Sequence, residues 1–340
     1  MDHQQFFSSV ADGNLSKCYL FEGVEEFTKY AALERVKAIV EAKDFPEMNM
    51  SVMKNPSADA IIAACETLPF GSDQRLVIVK ECSMLSGEKT RDYDESDSAE
   101  QLKEYIPQMP DSTCLVFFAR GKADSRKKLY NVLKKSAEIV TFDTLSDAEL
   151  EKWTVRRFQR NGRMIDREAC TRLFFTCGKE LNTLANEIDK LCAYTEGKEA
   201  VQQEDIAAMC AETLECKVFD LSEVLFSGQG KRAFQILDVL YRDGEQSLML
   251  LSLIGRYCRQ LLYASQFRDK YSVSAALGVP AFAAQKLLDQ CKLYTGDELR
   301  KMPEWCMKTE YEIKSGVIPE EGALETLMLR ILALRDKVRK

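Results

Sequence analysis

Two runs of the chain, Leu76-Val77-Ile78-Val79 and Leu115-Val116-Phe117-Phe118, are apolar at every position. Successive side chains of a strand point to opposite faces, so an unbroken apolar run marks a strand covered on both sides. Cys18-Tyr19-Leu20-Phe21 reads as a third such strand, Met48 to Met53 alternates like a fourth, and Ile139-Val140-Thr141-Phe142 makes five. Helical patterning fills the intervals. One amphipathic segment carries Ala31, Leu33, Val36 and Ile39, and Asn55-Pro56 offers an N-cap and first turn to a helix ending near Glu66. Strands separated by helices pair in parallel through right-handed crossovers, which predicts an open five-stranded α/β sheet over residues 1–146. Between the third and fourth strands, Ser86 to Ser98 is rich in Ser, Asp and Glu (Asp92, Asp94, Glu95, Asp97) and predicts a solvated loop.

Beyond Thr144 the patterning predicts no further strand. Ser146-Asp147 can cap a helix through Leu150, Trp153, Val155 and Phe158 that stops near Asn161-Gly162. Helices follow at about 166–176, 179–195 and 203–212, so residues 147–214 are expected as a small helical domain. From Phe219 onward, glycine-bearing breaks at 228–230, 243–244, 278–280 and 296 predict a bundle of five antiparallel helices over residues 215–340. The fold class expected is therefore an α/β domain followed by two all-α domains.

Composition narrows the chemistry. With 46% apolar and 30% charged residues, the 340-residue chain can bury a sizeable core. Its 12 cysteines include no C-x2-C pair, and the only histidine is His3, so neither a disulfide framework nor a zinc site is expected. The cysteines read as small buried hydrophobes in a reducing compartment. A lone histidine also excludes His-based triads. No signal-peptide pattern or membrane-length apolar run occurs, and a cytoplasmic location is expected. A net charge of -7 argues against a dedicated nucleic-acid binder, while leaving room for a local basic face.

A strand, a glycine and then a helix is the setting of a phosphate-binding loop, which needs G-x4-G-K-[S/T] so that backbone amides wrap phosphate and a hydroxyl holds magnesium. Here Gly23 is followed by Val24-Glu25-Glu26-Phe27-Thr28-Lys29-Tyr30. Lys29 keeps the lysine spacing, but Thr28 replaces the second glycine and Tyr30 the magnesium-binding hydroxyl residue. Glu25 and Glu26 would repel phosphate. After the third strand, Lys80-Glu81 stands where a metal-binding aspartate is required. No nucleotide cofactor is expected, and Lys29 reads as a solvated helix residue.

Several blocks carry a resemblance. Leu20-Phe21-Glu22-Gly23 with Glu25 and Phe27, Thr67-Leu68-Pro69-Phe70 with Arg75 to Val79, and Cys114 to Phe118 with Asp124 to Leu129 resemble successive blocks of the delta subunit family of bacterial DNA polymerase III clamp loaders. Asn186 to Leu191 with Gln203 to Ile206 resembles that family's lid, and Phe219-Asp220-Leu221 with Ala233 to Leu237 resembles the start of its collar. The match covers nearly the whole chain in order. It implies an AAA+-like first domain with a degenerate P-loop, a lid over 147–214, and a collar over 215–340 that joins ATPase and delta-prime subunits. It further implies a non-catalytic protein that binds and opens the sliding clamp (the beta subunit) in DNA replication, reaches primer–template DNA through the assembly, and has no membrane partner. Ser125-Arg126-Lys127 only superficially echoes the arginine-finger motif of the sister subunits. A degenerate P-loop ATPase and a helical scaffold of another replication or repair assembly are the competing readings.

Pro69 should end the helix from Pro56, leaving Leu68 and Phe70 on a short connector before the third strand. They can pad the helix–strand junction or project as an apolar anchor into a partner's pocket, and the resemblance favours clamp binding by Leu68, Pro69 and Phe70. Basic residues from Arg120 to Lys135, including Arg126, Lys127 and Lys128, and a second group with Arg156 and Arg157, are candidates for DNA or subunit contact or plain solvated helix faces. Trp153 and Trp305 read as core.

Overall fold

All five strands form: β1 (Cys18–Glu22), β2 (Met50–Lys54), β3 (Arg75–Lys80), β4 (Thr113–Phe118) and β5 (Glu138–Thr141). They pair in parallel in the order β2-β3-β4-β1-β5. The chain is described by a computed structural model over residues 1–86 and 95–336. It divides into two compact units, Met1–Glu149 and Leu150–Lys340.

In the first unit, the helices are α1 (His3–Ser9), α2 (Glu26–Glu41), α3 (Ala58–Glu66), α4 (Glu95–Tyr105) and α5 (Lys128–Ser136). The strand order fixes which face each helix covers. The connection from β1 to β2 runs one way across the sheet, and the steps β2 to β3 to β4 to β5 run back. Right-handed crossovers therefore place α2 on one face and α3, α4 and α5 on the other. The core follows this division. Tyr19, Phe21, Leu76, Ile78, Cys114 and Val116 pack with Leu33, Val36 and Val40 of α2 and with Phe6 of α1. The alternate residues Cys18, Leu20, Val77, Val79, Leu115 and Phe117 pack with Ile61, Leu102, Leu129 and Leu133. Unbroken apolar runs in β1, β3 and β4 thus feed two separate layers.

Several boundaries differ from expectation. Asn55 does not cap α3; it takes φ 45°, and its side chain accepts from the Ser83 amide, while Ser57 supplies the cap. The buried stripe of α2 uses Ala32, not Ala31. Most of the loop expected over Ser86–Ser98, including Asp92 and Asp94, lies outside the described residues, and its last part is helical because α4 begins at Glu95. The first helix was unforeseen, although Asp2 and Gln5 form a reciprocal capping box around it.

The second unit holds the rest of α6 (Asp147–Arg160), then α7 (Arg167–Cys177), α8 (Leu181–Tyr194), α9 (Gln203–Met209) and α10 (Leu214–Phe226). There follow α11 (Gly230–Arg242), α12 (Ser247–Ala264), α13 (Lys270–Leu277), α14 (Ala281–Cys291), α15 (Gly296–Lys314) and α16 (Ala323–Asp336). Against the expectation of no strands, Met164–Ile165 and Ala200–Val201 pair in parallel. Seven helices rather than five follow Thr213 among the described residues. The two unforeseen breaks are the Asp269 cap, whose carboxylate accepts from the Tyr271 and Ser272 amides, and the 315–322 turn with Gly316 and Gly322 at positive φ. The segments expected as lid and collar meet at Phe175, whose ring stands edge-on to Phe219 and Phe282, both at 5.0 Å. Trp153 and Trp305 are half-buried, each under an arginine (Arg157 and Arg330), rather than core.

Ten of the twelve cysteines are buried, and Cys192 and Cys210 are half-buried. Phe21 lies at the centre of an aromatic cluster with Phe6, Tyr19 and Phe142 at 5.1, 5.7 and 5.4 Å. Phe21→Ala should lower unfolding stability by about 3–5 kcal/mol, the range for an aromatic removed from a packed core. Urea denaturation of the two proteins measures the difference.

Candidate functional site

A parallel sheet has two unlike ends. Its carboxyl end, where strands hand over to helices, is where open α/β sheets bind nucleotides. Here that end is closed from within. Gly23 takes φ 121°, and a Cβ there would stand 2.1 Å from the Phe142 carbonyl oxygen. Its amide donates to the Gly121 carbonyl at 2.9 Å, and the Glu25 amide donates to the Phe142 carbonyl at 3.0 Å. Glu25 caps α2 by accepting from the Phe27 amide at 3.1 Å. Three amides of the turn, those of Gly23, Glu25 and Phe27, are therefore already committed rather than free to wrap a phosphate.

Lys29 is not the solvated residue expected. It is 0% exposed, and its ammonium donates to the Gly23 carbonyl (2.8 Å), the Ala119 carbonyl (3.0 Å) and Glu26 Oε1 (2.6 Å). All three of its protons have acceptors, as a buried cation requires. The side chain ties the turn after β1 to the end of β4 and lies 5.2 Å from the Phe118 ring centre. Tyr30, in place of a magnesium hydroxyl, packs its ring on Phe118 at 4.8 Å, with the Lys80 ammonium over both rings. Thr28 is half-buried on α2.

The amino end of the sheet is built differently. Two helix-to-strand connections, 42–49 and 67–74, reach it side by side. Thr67 ends α3 in extended conformation, and Pro69 prevents its continuation. Leu68 is 76% exposed and Phe70 54%. They do not pad the junction. Phe45 of the neighbouring connection is equally exposed, and its ring stands edge-on to Phe70 at 5.2 Å. Asn49, fully buried, holds the two connections together. Its Oδ1 accepts from the Phe70 amide at 2.7 Å, and its Nδ2 donates to the carbonyls of Phe70 (2.9 Å), Phe45 and Asp44 (both 3.2 Å). At the same place the Lys43 ammonium lies 2.8 Å from Asp73, and their hydrogen bond holds the Asp73 carboxyl below its usual range. Sequence reasoning missed Phe45 and Asn49 as site residues. The visible signal was an aromatic before Pro46 in an otherwise polar stretch, the same arrangement as Leu68 before Pro69.

The basic candidates are scattered. Arg126 chelates Asp124 through Nε and Nη2 at 2.9 and 2.8 Å, and hydrogen bonds from its side chain and amide hold that carboxyl at about 2. Lys127 occupies the N-cap position of α5, and Lys128 is exposed at its start, so all three stand at the carboxyl end, away from Leu68. Arg156 is exposed, whereas Arg157 is half-buried, pairs with Asp189 at 2.8 Å and lies over Trp153.

Among the described residues, two groups bring metal-ligand atoms within 4.8 Å of one another: Cys177, Glu187 and Cys210, and Glu212, Cys216 and Asp220. The first joins the ends of α7 and α9 to α8. The Lys190 ammonium already faces Glu187 Oε2 at 2.8 Å, and the bond to Cys177, then burial, raises the Cys210 thiol. In the second, burial followed by the Glu212 charge raises the Asp220 carboxyl, and Lys286 and Arg172 supply compensating positive charge. The first group is thus internally paired, and the second has positive side chains near it.

The family described as DNA polymerase III, delta subunit, matches residues 19–143, and its C-terminal domain matches residues 215–331. The chain belongs to the DNA polymerase III delta-subunit family. This delta-family chain is 28% identical to the DNA polymerase III subunit delta of Bacillus subtilis (strain 168) over 338 residues, 97% of each. It is 22% identical over 133 residues to the probable DNA polymerase III subunit delta of Aquifex aeolicus (strain VF5), covering 39% of this chain and 38% of that one. The solved structure of the Bacillus subtilis DNA clamp loader delta protein aligns with a TM-score of 0.57 at 28% identity, over 97% of this chain and 99% of that one. The fold is a five-stranded parallel sheet followed by helices, and the chain is a clamp-loader delta subunit of the replication machinery. No helix among the described residues is long and apolar enough to cross a membrane.

Replacing Lys29 with methionine leaves two buried carbonyls without donors and should cost on the order of 3 kcal/mol of stability. Titration of the native protein with ATP and magnesium should give no saturable heat. Micromolar binding abolished by Lys29→Met would contradict the closed geometry.

Proposed function

We propose that this delta-family chain grips the sliding clamp with Leu68, Pro69 and Phe70 and helps to open it, without nucleotide chemistry of its own. The observation that carries the reading is the exposure of two large apolar side chains on a connector whose backbone is fastened to a buried asparagine. Buried apolar and aromatic anchors are what concentrate affinity at protein interfaces, and a fastened anchor loses little freedom on docking. The closed carboxyl end supports a non-catalytic role and weighs against the ATPase reading, because committed amides and an internal cation leave phosphate no place. ATP-dependent steps then belong to partner ATPase subunits.

On the same reading, residues 147–214 act as a lid, and residues 215–340 form a collar that joins the ATPase and delta-prime subunits in the cytoplasm. Lys128 and Arg156 are exposed members of the basic groups available to primer–template DNA or an acidic neighbouring subunit. Arg126, Lys127 and Arg157 contribute there with charges already engaged or close to internal partners.

Truncation of Leu68 or Phe70 to alanine should weaken clamp binding by about 2 kcal/mol, roughly 30-fold in Kd. The melting temperature should hold, because exposed side chains leave no cavity behind. A clamp-binding isotherm and a thermal melt on each variant make the test. Unaltered clamp affinity in both would remove this connector from the interface.

A further inference from the structure

We infer that Asn49 is a positioning residue for Phe70, and that Phe45 is a third apolar contact on the surface presented to the clamp. The inference rests on the clamp-binding reading and deepens it. Neither residue belongs to the Leu68-Pro69-Phe70 segment, and three independent features tie them to it.

The first is the two-sided grip of Asn49 on the Phe70 backbone. One side chain accepts from the Phe70 amide and donates to the Phe70 carbonyl, satisfying both polar groups of the residue whose ring would dock. The same amide nitrogen reaches the Asp44 and Phe45 carbonyls, so the two connections share one fastening. An ordinary loop residue of this exposure would leave its backbone to water.

The second is the conformation of Phe45. It takes φ 51°, which a bulky side chain rarely adopts, and it stands immediately before Pro46. Sparsely populated backbone persists where surrounding contacts over-determine it, and such sites are enriched at ligand clamps. The third is Gly71. A Cβ there would lie 2.6 Å from Phe45 Cδ2, so the absence of a side chain is what lets the Phe45 ring lie beside Phe70. The result is a pair of exposed rings, edge to face, held by a buried amide. A padded core has no need of such an exposed pair.

The occupant that fits is an apolar pocket on the clamp wide enough for more than one side chain. Fixing the rings before encounter removes an ordering cost that docking would otherwise carry. Asn49 therefore acts through Phe70, while Phe45 acts by contact.

A double-mutant cycle on the full chain tests this, with clamp affinity measured well below the melting temperature. Asn49→Ala should weaken binding about 10-fold, within the range of coupled neighbours. In the Phe70→Ala background the same substitution should change affinity by less than about 2-fold, because the ring it positions is gone. Phe45→Ala, whose ring is exposed and whose loss should spare the fold, gives an independent arm and should weaken binding about 5-fold. Equal effects of Asn49→Ala with and without the Phe70 ring would overturn the positioning role. So would a lowered melting temperature with unaltered affinity. An unchanged affinity in Phe45→Ala would overturn the third contact. Failure of the clamp-binding reading itself has a different signature, an unaltered affinity in Phe70→Ala alone.

Discussion

A parallel sheet covered by helices on both faces turns its two ends outward, and this constraint organises the whole first unit. The layers around Phe21 and around Phe117 consume both faces of the sheet. What remains is a carboxyl end, framed by the turn after β1, and an amino end, framed by the connections into β2 and β3. The two ends are built from opposite materials. Charged and backbone groups close the first, and exposed aromatic and aliphatic side chains furnish the second.

The closure of the carboxyl end is a local exchange of interactions. In a working phosphate loop the lysine and the backbone amides converge on an anion. Here the lysine converges on two carbonyls and a glutamate, while the amides of Gly23 and Glu25 reach the carbonyls of Gly121 and Phe142. The lysine and the amides of Gly23, Glu25 and Phe27 thus have internal counterparts. The exchange also joins β1 to both of its neighbours, since Gly121 follows β4 and Phe142 follows β5. The non-binding site is thus part of what holds the centre of the sheet together.

Much of the fold was legible because burial on two faces writes itself as unbroken apolar runs. The central strands followed from that pattern, the strand at Met48–Met53 from alternation and the parallel pairing from the intervening helices, and the helices around Leu150, Cys170 and Ile188 followed from period and caps. Less was legible where one polar side chain decides the outcome. Asp269 ends a helical stretch by capping the next, and Asn55 turns away from capping to hold Ser83; neither choice is visible in periodicity. The failed phosphate loop was readable from Thr28 and Tyr30. The burial of Lys29 was not, because its acceptors come from residues as far away as Ala119. Likewise Leu68 and Phe70 could be located on their connector, whereas Asn49, 21 residues from Phe70, has no sequence signature of its own. Contacts made across the sheet end depend on the strand order, which the apolar runs do not specify.

On the proposed function, the clamp is recognised at the amino end of the sheet and not at its carboxyl end. Hydrogen–deuterium exchange of the full chain, alone and saturated with the sliding clamp, tests it most directly. The account predicts slowed exchange concentrated in residues 42–49 and 67–74, with the turn from Gly23 to Lys29 unaltered. Protection centred on Gly23 to Lys29, with Leu68 and Phe70 exchanging as in the free protein, would contradict it.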